Sequence, residues 1–167
     1  SQAALDTAQA QAESLEALRA LEVLDSAPEA EFDGLARAAS LTCGTPIALI
    51  SLVDAERQWF KANIGLAGVT ETPREMAFCA HAVLGDELFE VPDAALDPRF
   101  ADNPLVAGDP NIRFYAGAPV RLSDGHRVGT LCIVDRLPRQ LTDTQREILR
   151  SLAVAAARAL EGRRASR

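Results

Sequence analysis

The sequence has little of what most site chemistry needs. It holds two histidines, three cysteines and one methionine, and aromatics make up 5% of its 167 residues. No apolar stretch reaches the roughly 18 residues that span a bilayer, which excludes a membrane-crossing helix. The opening SQAALDTAQAQAES has neither a basic nor an apolar signal region, so a cytoplasmic location is expected. Cys43, Cys79 and Cys132 are odd in number, widely spaced and form no CxxC, which argues against a disulfide scaffold and a structural zinc site. Phosphate loops (GxxxxGK[ST]), GxGxxG after a strand, HExxH and GxSxG are missing. Lys61 is the lone lysine, and a net charge of −7 repels a phosphate backbone, so nucleic acid is not an expected partner. The short run Arg163, Arg164, Arg167 reads as a solvated helix end. With Ser1 first and Met76 the sole methionine, the chain reads either as trimmed of its initiator or as a piece of a longer protein.

What is present fits one globular domain: 48% hydrophobic and 25% charged residues, with no repeat or low-complexity tract. From about Gln9 to Leu24, leucines at 15, 18, 21 and 24 form one apolar helical stripe. Ser26 and Glu29 read as a capping box with Pro28 in the first turn, opening a helix that Gly44 and Pro46 stop. PIALISLVD (46–54) is too apolar for a wet face and reads as a central strand. RQWFKANIG (57–65) alternates Trp59, Lys61 and Asn63 against Phe60, Ala62 and Ile64, as the second arm of a hairpin. Thr72, Pro73 and Glu75 match the N-cap, N1 and N3 positions of a short helix closed by Gly85. LFEVPD (88–93) is a short strand, and Asp97-Pro98 and Asn103-Pro104 open helical turns. The strands 112–122 and 127–135 flank the hairpin signal Asp124-Gly125, and Thr142 with Gln145 caps a last helix striped from Ile148 to Leu160. This order predicts an α+β layer fold on an antiparallel sheet.

Reactive residues are few. His126, just past the hairpin turn, reads as a surface residue. Cys79 and His81 form the most reactive pair, yet positions two apart on a helix point about 200° away from each other and cannot chelate one ion. Cys79 then reads as a core thiol and His81 as a partner for a nearby carboxylate or carbonyl. Asp97 and Asn103 are explained as caps, leaving Asp93 and Arg99 as candidates for a polar recess. Arg113 and Tyr115 share one strand face, opposite Ile112, Phe114 and Ala116, and that face is either solvated or lines a cavity. Thr130 and Cys132 share a face of the next strand, opposite Leu131, Ile133 and Asp135; the register against Tyr115 is open.

The succession LISLVDAERQWFKANIGL, FCAH, VPDAALDPRFADNPLV, RFYAGAPV and VGTLCIVDRLPRQLT, covering about residues 26–162, resembles the GAF domain of bacterial sensory proteins. The likeness implies a GAF/PAS-like central sheet of five or six antiparallel strands in the order 2-1-5-4-3. Terminal helices are implied on one face, and a helix- and loop-roofed small-molecule pocket on the other. It divides the chain into a signalling or dimerisation helix (1–25), the GAF domain (26–163) and a tail (164–167). It also implies a role in a two-component or related system, upstream of a histidine kinase, a cyclase or another cyclic-dinucleotide enzyme. The Asn-Lys, Phe, Asp-Glu signature of cyclic-nucleotide binders is missing. Cys79 and His81 are separated by Ala80, unlike the adjacent pair of bilin-binding relatives, and the local sequences differ from those of relatives that reduce free methionine sulfoxide. The ligand-site candidates carried over are Phe78, Cys79, His81, Asp93, Arg113, Tyr115 and Cys132, with no catalytic residue, no metal ligand and no identified cofactor.

The expectation is a non-enzymatic sensory domain that binds an unidentified small molecule and transmits through the paired terminal helices of a homodimer. The alternatives are a ligand-free dimerisation module and a chromophore or thiol-redox protein that depends on Cys79.

Overall fold

The computed structural model describes residues 1–76 and 78–165. Arg167, and with it the end of the expected tail, lies outside them. The elements are α1 (Gln2–Ala20), α2 (Ala30–Cys43), β1 (Ile47–Val53), β2 (Arg57–Ile64), β3 (Glu71–Pro73), α3 (Cys79–Ala82), β4 (Phe89–Val91), α4 (Pro104–Ala107), β5 (Phe114–Arg121), β6 (Arg127–Asp135) and α5 (Asp143–Ala165). They form one six-stranded sheet in the order β3-β2-β1-β6-β5-β4, and the pairings between neighbouring strands are antiparallel. Without the short edge strand β3, the other five in chain order read 2-1-5-4-3. The α+β class follows from the sequence, because β1 is buried along its whole length between two covered faces.

One face carries α2, α5 and the C-terminal part of α1. Ala48, Ile50 and Leu52 of β1 meet Phe32, Ala36 and Ala39 of α2, and Leu149, Ala153, Ala156 and Leu160 of α5. Each buried Leu, Ile or Phe contributes about 1.5–3 kcal/mol. The small residues let helix and sheet approach closely. Leu18, Leu21 and Val23 close this layer. The leucine stripe of α1 and the stripe of α5 therefore bury largely against the chain's own sheet, which supplies the cover that was expected from a second copy. The last helix begins with the expected reciprocal cap: Gln145 N–H donates to Thr142 Oγ1 (3.1 Å), and Thr142 N–H to Gln145 Oε1 (2.9 Å).

Several local expectations are overturned. Helix α1 starts at Gln2, capped by Ser1, and stops at Ala20, where Glu22 and Asp25 take positive φ and turn the chain. Helix α2 begins at Ala30 with no side-chain cap; Ser26 donates to Val23 O, and Glu29 is engaged by Lys61 and Arg163. Residues 71–73 pair with the edge of β2 as β3, so α3 starts only at Cys79 and ends before Gly85, with Val83 as its C-cap. Asp97 does open the next helical turn as expected, its Oδ1 accepting from Arg99 N–H at 2.9 Å while it also pairs with the Arg99 guanidinium, whereas Asp93, expected to be free for a polar recess, caps the preceding 3-10 turn by accepting from Ala95 N–H at 3.1 Å.

The alternation expected of β2 fails at one point. Ile50 opposes Ala62 and Ser51 opposes Phe60, so Lys61 is an extra residue in a bulge. Trp59 and Ala62 pack toward the helices, and Lys61 reaches Phe32 and Ser26 on the same side. Phe60 packs on the opposite face, and Asn63 binds the 66–69 loop.

Candidate functional site

The second face of the sheet is floored by Ile47, Leu49, Phe60, Tyr115, Cys132 and Val134 and roofed by Phe78, Phe100, Val106 and Ile112. Between floor and roof lies a cavity of about 420 Å³ that Gln58, Thr72, Leu66 and Val69 also line. This size falls in the range of small-molecule sites. The register puts Tyr115 opposite Val134 and Gly117 opposite Cys132. The Tyr115 ring lies over Gly117, where an added Cβ would sit 2.8 Å from its Cζ. The roof is held by aromatic packing: Phe78 stacks on Phe100 at 4.3 Å between centroids and tilts against Tyr115 at 5.1 Å. Asn103 caps α4 through Leu105 N–H and donates its Nδ2 to Met76 O at 3.0 Å, which ties two roof segments together.

Polar groups in the wall are paired with each other. Gln58 Oε1 accepts from Ser51 Oγ (2.9 Å) and from the Cys79 thiol, and Gln58 Nε2 donates to Thr72 Oγ1 (2.6 Å). The Tyr115 and Thr130 hydroxyls lie 3.4 Å apart. Burial pushes the Cys79 thiol up to about 11 and that of Cys132 to about 12, and it raises Tyr115 as well. These thiols stay protonated and are poor nucleophiles at neutral pH. Among the described residues, no group of three or more His, Cys, Asp or Glu is placed to hold a metal ion.

The family model of the GAF domain matches residues 27–160. The chain belongs to the GAF domain family. Over 119 residues, 71% of the chain, it is 52% identical to a cyclic di-GMP phosphodiesterase of Pseudomonas aeruginosa, and it spans about 20% of that relative's length. In fold it is similar to the GAF domain of an Acinetobacter phosphoenolpyruvate-protein phosphotransferase (TM-score 0.68, 17% identity, 93% of this chain and 95% of that one). It is also similar to a free methionine-R-sulfoxide reductase of Neisseria meningitidis (TM-score 0.66, 20% identity, 81% and 79%). This GAF domain is thus related to part of a bacterial signalling protein, and no helix among its described residues is long and apolar enough to cross a membrane.

Of the residues singled out from the sequence, the GAF domain brings Phe78, Tyr115 and Cys132 to the cavity wall, with Cys79 behind Gln58. His81 lies outside the wall, its ring 4.9 Å from that of Phe100 and beside the Asp97–Arg99 pair; burial first, then the Arg99 charge, lowers its pKa. Asp93 is engaged as a cap. Arg113 donates to the carbonyls of Val106 and Ile112. Its neighbour Ile112, placed on the opposite face by simple alternation, lines the cavity, because β5 begins only at Phe114. His126 sits at the surface between Asp124 and Glu13. Sequence reasoning missed Gln58, Thr72, the 65–69 loop and the rim residues Asp109 and Arg136. Gly65 was the available signal for the loop: its φ of +88° and close approach to Pro46 O admit no side chain.

Proposed function

We propose that this GAF domain is a non-enzymatic sensory module that binds a small molecule in the sheet-face cavity and transmits its occupancy to the terminal helices. The observation that carries the reading is the cavity itself: about 420 Å³ of hollow space with a mostly apolar lining and a few fixed polar groups. The high thiol pKa values weigh against a nucleophilic or redox enzyme at Cys79. The likeness to part of a cyclic di-GMP phosphodiesterase supports a parent protein whose output is a cyclic-dinucleotide enzyme. Helices α1 and α5 are the transmitting elements, since one sheet carries them on one face and the cavity on the other. Leu5 (65% exposed) on α1 and Val154 (60%) on α5 support a homodimer built through their outer faces.

The test is a thermal-shift screen with metabolites and nucleotides on the wild type and on Leu49→Trp, which fills the cavity floor. A ligand selective for the folded state raises apparent stability by mass action. The reading expects at least one compound that stabilises the wild type and not the filled variant. It fails if no compound stabilises the wild type, or if the filled variant responds equally.

A further inference from the structure

Inside the cavity, Gln58 and Thr72 retain donor hydrogens that no group among the described residues engages. Gln58 Oε1 already accepts from two groups, whereas its Nε2 gives one of two hydrogens to Thr72 Oγ1, which in turn retains its own hydroxyl hydrogen. At the other end of the floor, beyond Asp135, Arg136 stands exposed at the mouth. Its Nε donates to Pro110 O at 3.1 Å, which anchors the guanidinium against the 109–112 segment, and among the described residues no carboxylate is within ion-pair distance of it. Asp109 is the second charge on this rim, is also exposed, and does not pair with Arg136. Between the two ends the lining is apolar, with Leu49, Phe60, Phe78 and Val134 facing the space.

Resting on the reading of this cavity as a ligand site, we infer that its ligand class is an apolar monocarboxylate. The hydrocarbon or aromatic body lies on the sheet face, and the carboxylate meets the two free terminal nitrogens of Arg136. A guanidinium presents parallel N–H groups that match two carboxylate oxygens. A cationic ligand finds only Asp109 at the mouth and meets the donors of Gln58 and Thr72 inside. An anion finds donors at both ends.

Three compounds of one shape separate the possibilities: 4-phenylbutyrate, 4-phenylbutanol and 4-phenylbutylamine, titrated into the intact protein by calorimetry. Chemical-shift mapping reports whether cavity residues respond. The expected result is about a tenfold preference for the carboxylate over the alcohol. Arg136→Gln abolishes that preference while alcohol binding stays unchanged, and Asp109→Asn strengthens carboxylate binding. If the alcohol or the amine binds as well as the carboxylate, or the preference survives in Arg136→Gln, the class assignment is overturned and the cavity reading stands. If none of the three shifts a cavity residue, or binding is unchanged in folded Leu49→Trp, the class assignment is likewise overturned, and the cavity reading is decided separately by the thermal-shift screen. Cys132→Phe, filling the same space from β6, serves where Leu49→Trp does not fold.

Discussion

Glu29→Ala is expected to destabilise the domain more than Lys61→Met, although the two residues form one ion pair. Lys61 Nζ is fully buried and donates to Ser26 Oγ (2.8 Å), Ala27 O (2.6 Å) and Glu29 Oε2 (2.5 Å), above the Phe32 ring. Glu29 is 38% exposed and has a second cationic partner, Arg163 Nε at 2.6 Å, near the end of α5. Removing Glu29 leaves a buried ammonium with two neutral acceptors and no counter-charge. Breaking a fully buried pair in this way costs about 3–5 kcal/mol, and the remaining hydrogen bonds and the exposure of Glu29 place the loss near the lower figure. Methionine at position 61 retains most of the packing and leaves a carboxylate that reaches water and Arg163, for a loss of about 1–2 kcal/mol. In a domain of this size each kcal/mol lowers Tm by about 2–4 °C, so the variants should melt about 6–12 °C and about 2–8 °C below wild type. The double variant should be no less stable than Glu29→Ala alone, because the stranded charge is gone. Thermal and urea melts at neutral pH decide it. Additive losses, or a larger loss from Lys61→Met, refute the account of an uncompensated charge. The pH dependence has a definite sign. The Lys61 hydrogen bond, with Arg163 assisting, holds the Glu29 carboxyl below its ordinary value. Its contribution is therefore complete above about pH 4.3 and is lost as pH falls through the lowered folded value, where the wild type and Glu29→Gln converge.

Three other outcomes are expected. His126 has its pKa raised first by the hydrogen bond to Asp124 and further by Glu13 of α1; its contribution is complete below about pH 6.5 and disappears as pH rises through the folded value. The stability difference between wild type and His126→Gln, measured by urea melts, should therefore be present at about pH 5.5 and absent at about pH 9. Gly117→Ala sets a methyl group against the Tyr115 ring, with 2.9 Å to Cε1; a loss of about 1–3 kcal/mol in urea melts is expected, together with a displaced Tyr115 ring seen as altered shifts at the cavity wall. Cys43, Cys79 and Cys132 are all buried, so iodoacetamide at mild alkaline pH should leave the native protein unlabelled and label three thiols in denaturant, as read by intact mass; rapid native labelling of Cys79 would contradict the described burial.

What the sequence reveals and what it hides divide by the range of the interaction. Strand β1 is legible because six of its seven residues are apolar, a run too short for a typical helix and suited to a strand covered on both faces. The Thr142–Gln145 cap and the Asp124-Gly125 turn are legible because their partners lie three residues or fewer away. Thr72, Pro73 and Glu75 carry local signals equally suited to a helix start, but the unpaired edge of β2 offers ladder hydrogen bonds from 12 to 16 positions upstream in the chain. Tertiary pairing overrides the cap signal there. The bulge at Lys61 is hidden for the same kind of reason: the period of two breaks because the ammonium needs the acceptors of Ser26, Ala27 and Glu29, which belong to another segment.

The candidate site follows the same logic. Searching for reactive side chains finds Cys79 and His81, whereas the cavity is bounded by apolar residues from five separated stretches of chain and by Gln58, whose amide gives no signal in the sequence. Tyr115 and Cys132 become lining residues only through the β5–β6 register. That register also sets Ala116 opposite Ile133 on the other face, packed with α2 and α5. Two adjacent residue pairs thus face the cavity and the terminal helices from the same length of strand. A ligand that shifts the β5 backbone when it displaces Tyr115 is expected to reach the ladder on which α5 rests, and a substitution at Ala116 that loosens α5 is then expected to change ligand affinity, as binding titrations of the variant would show.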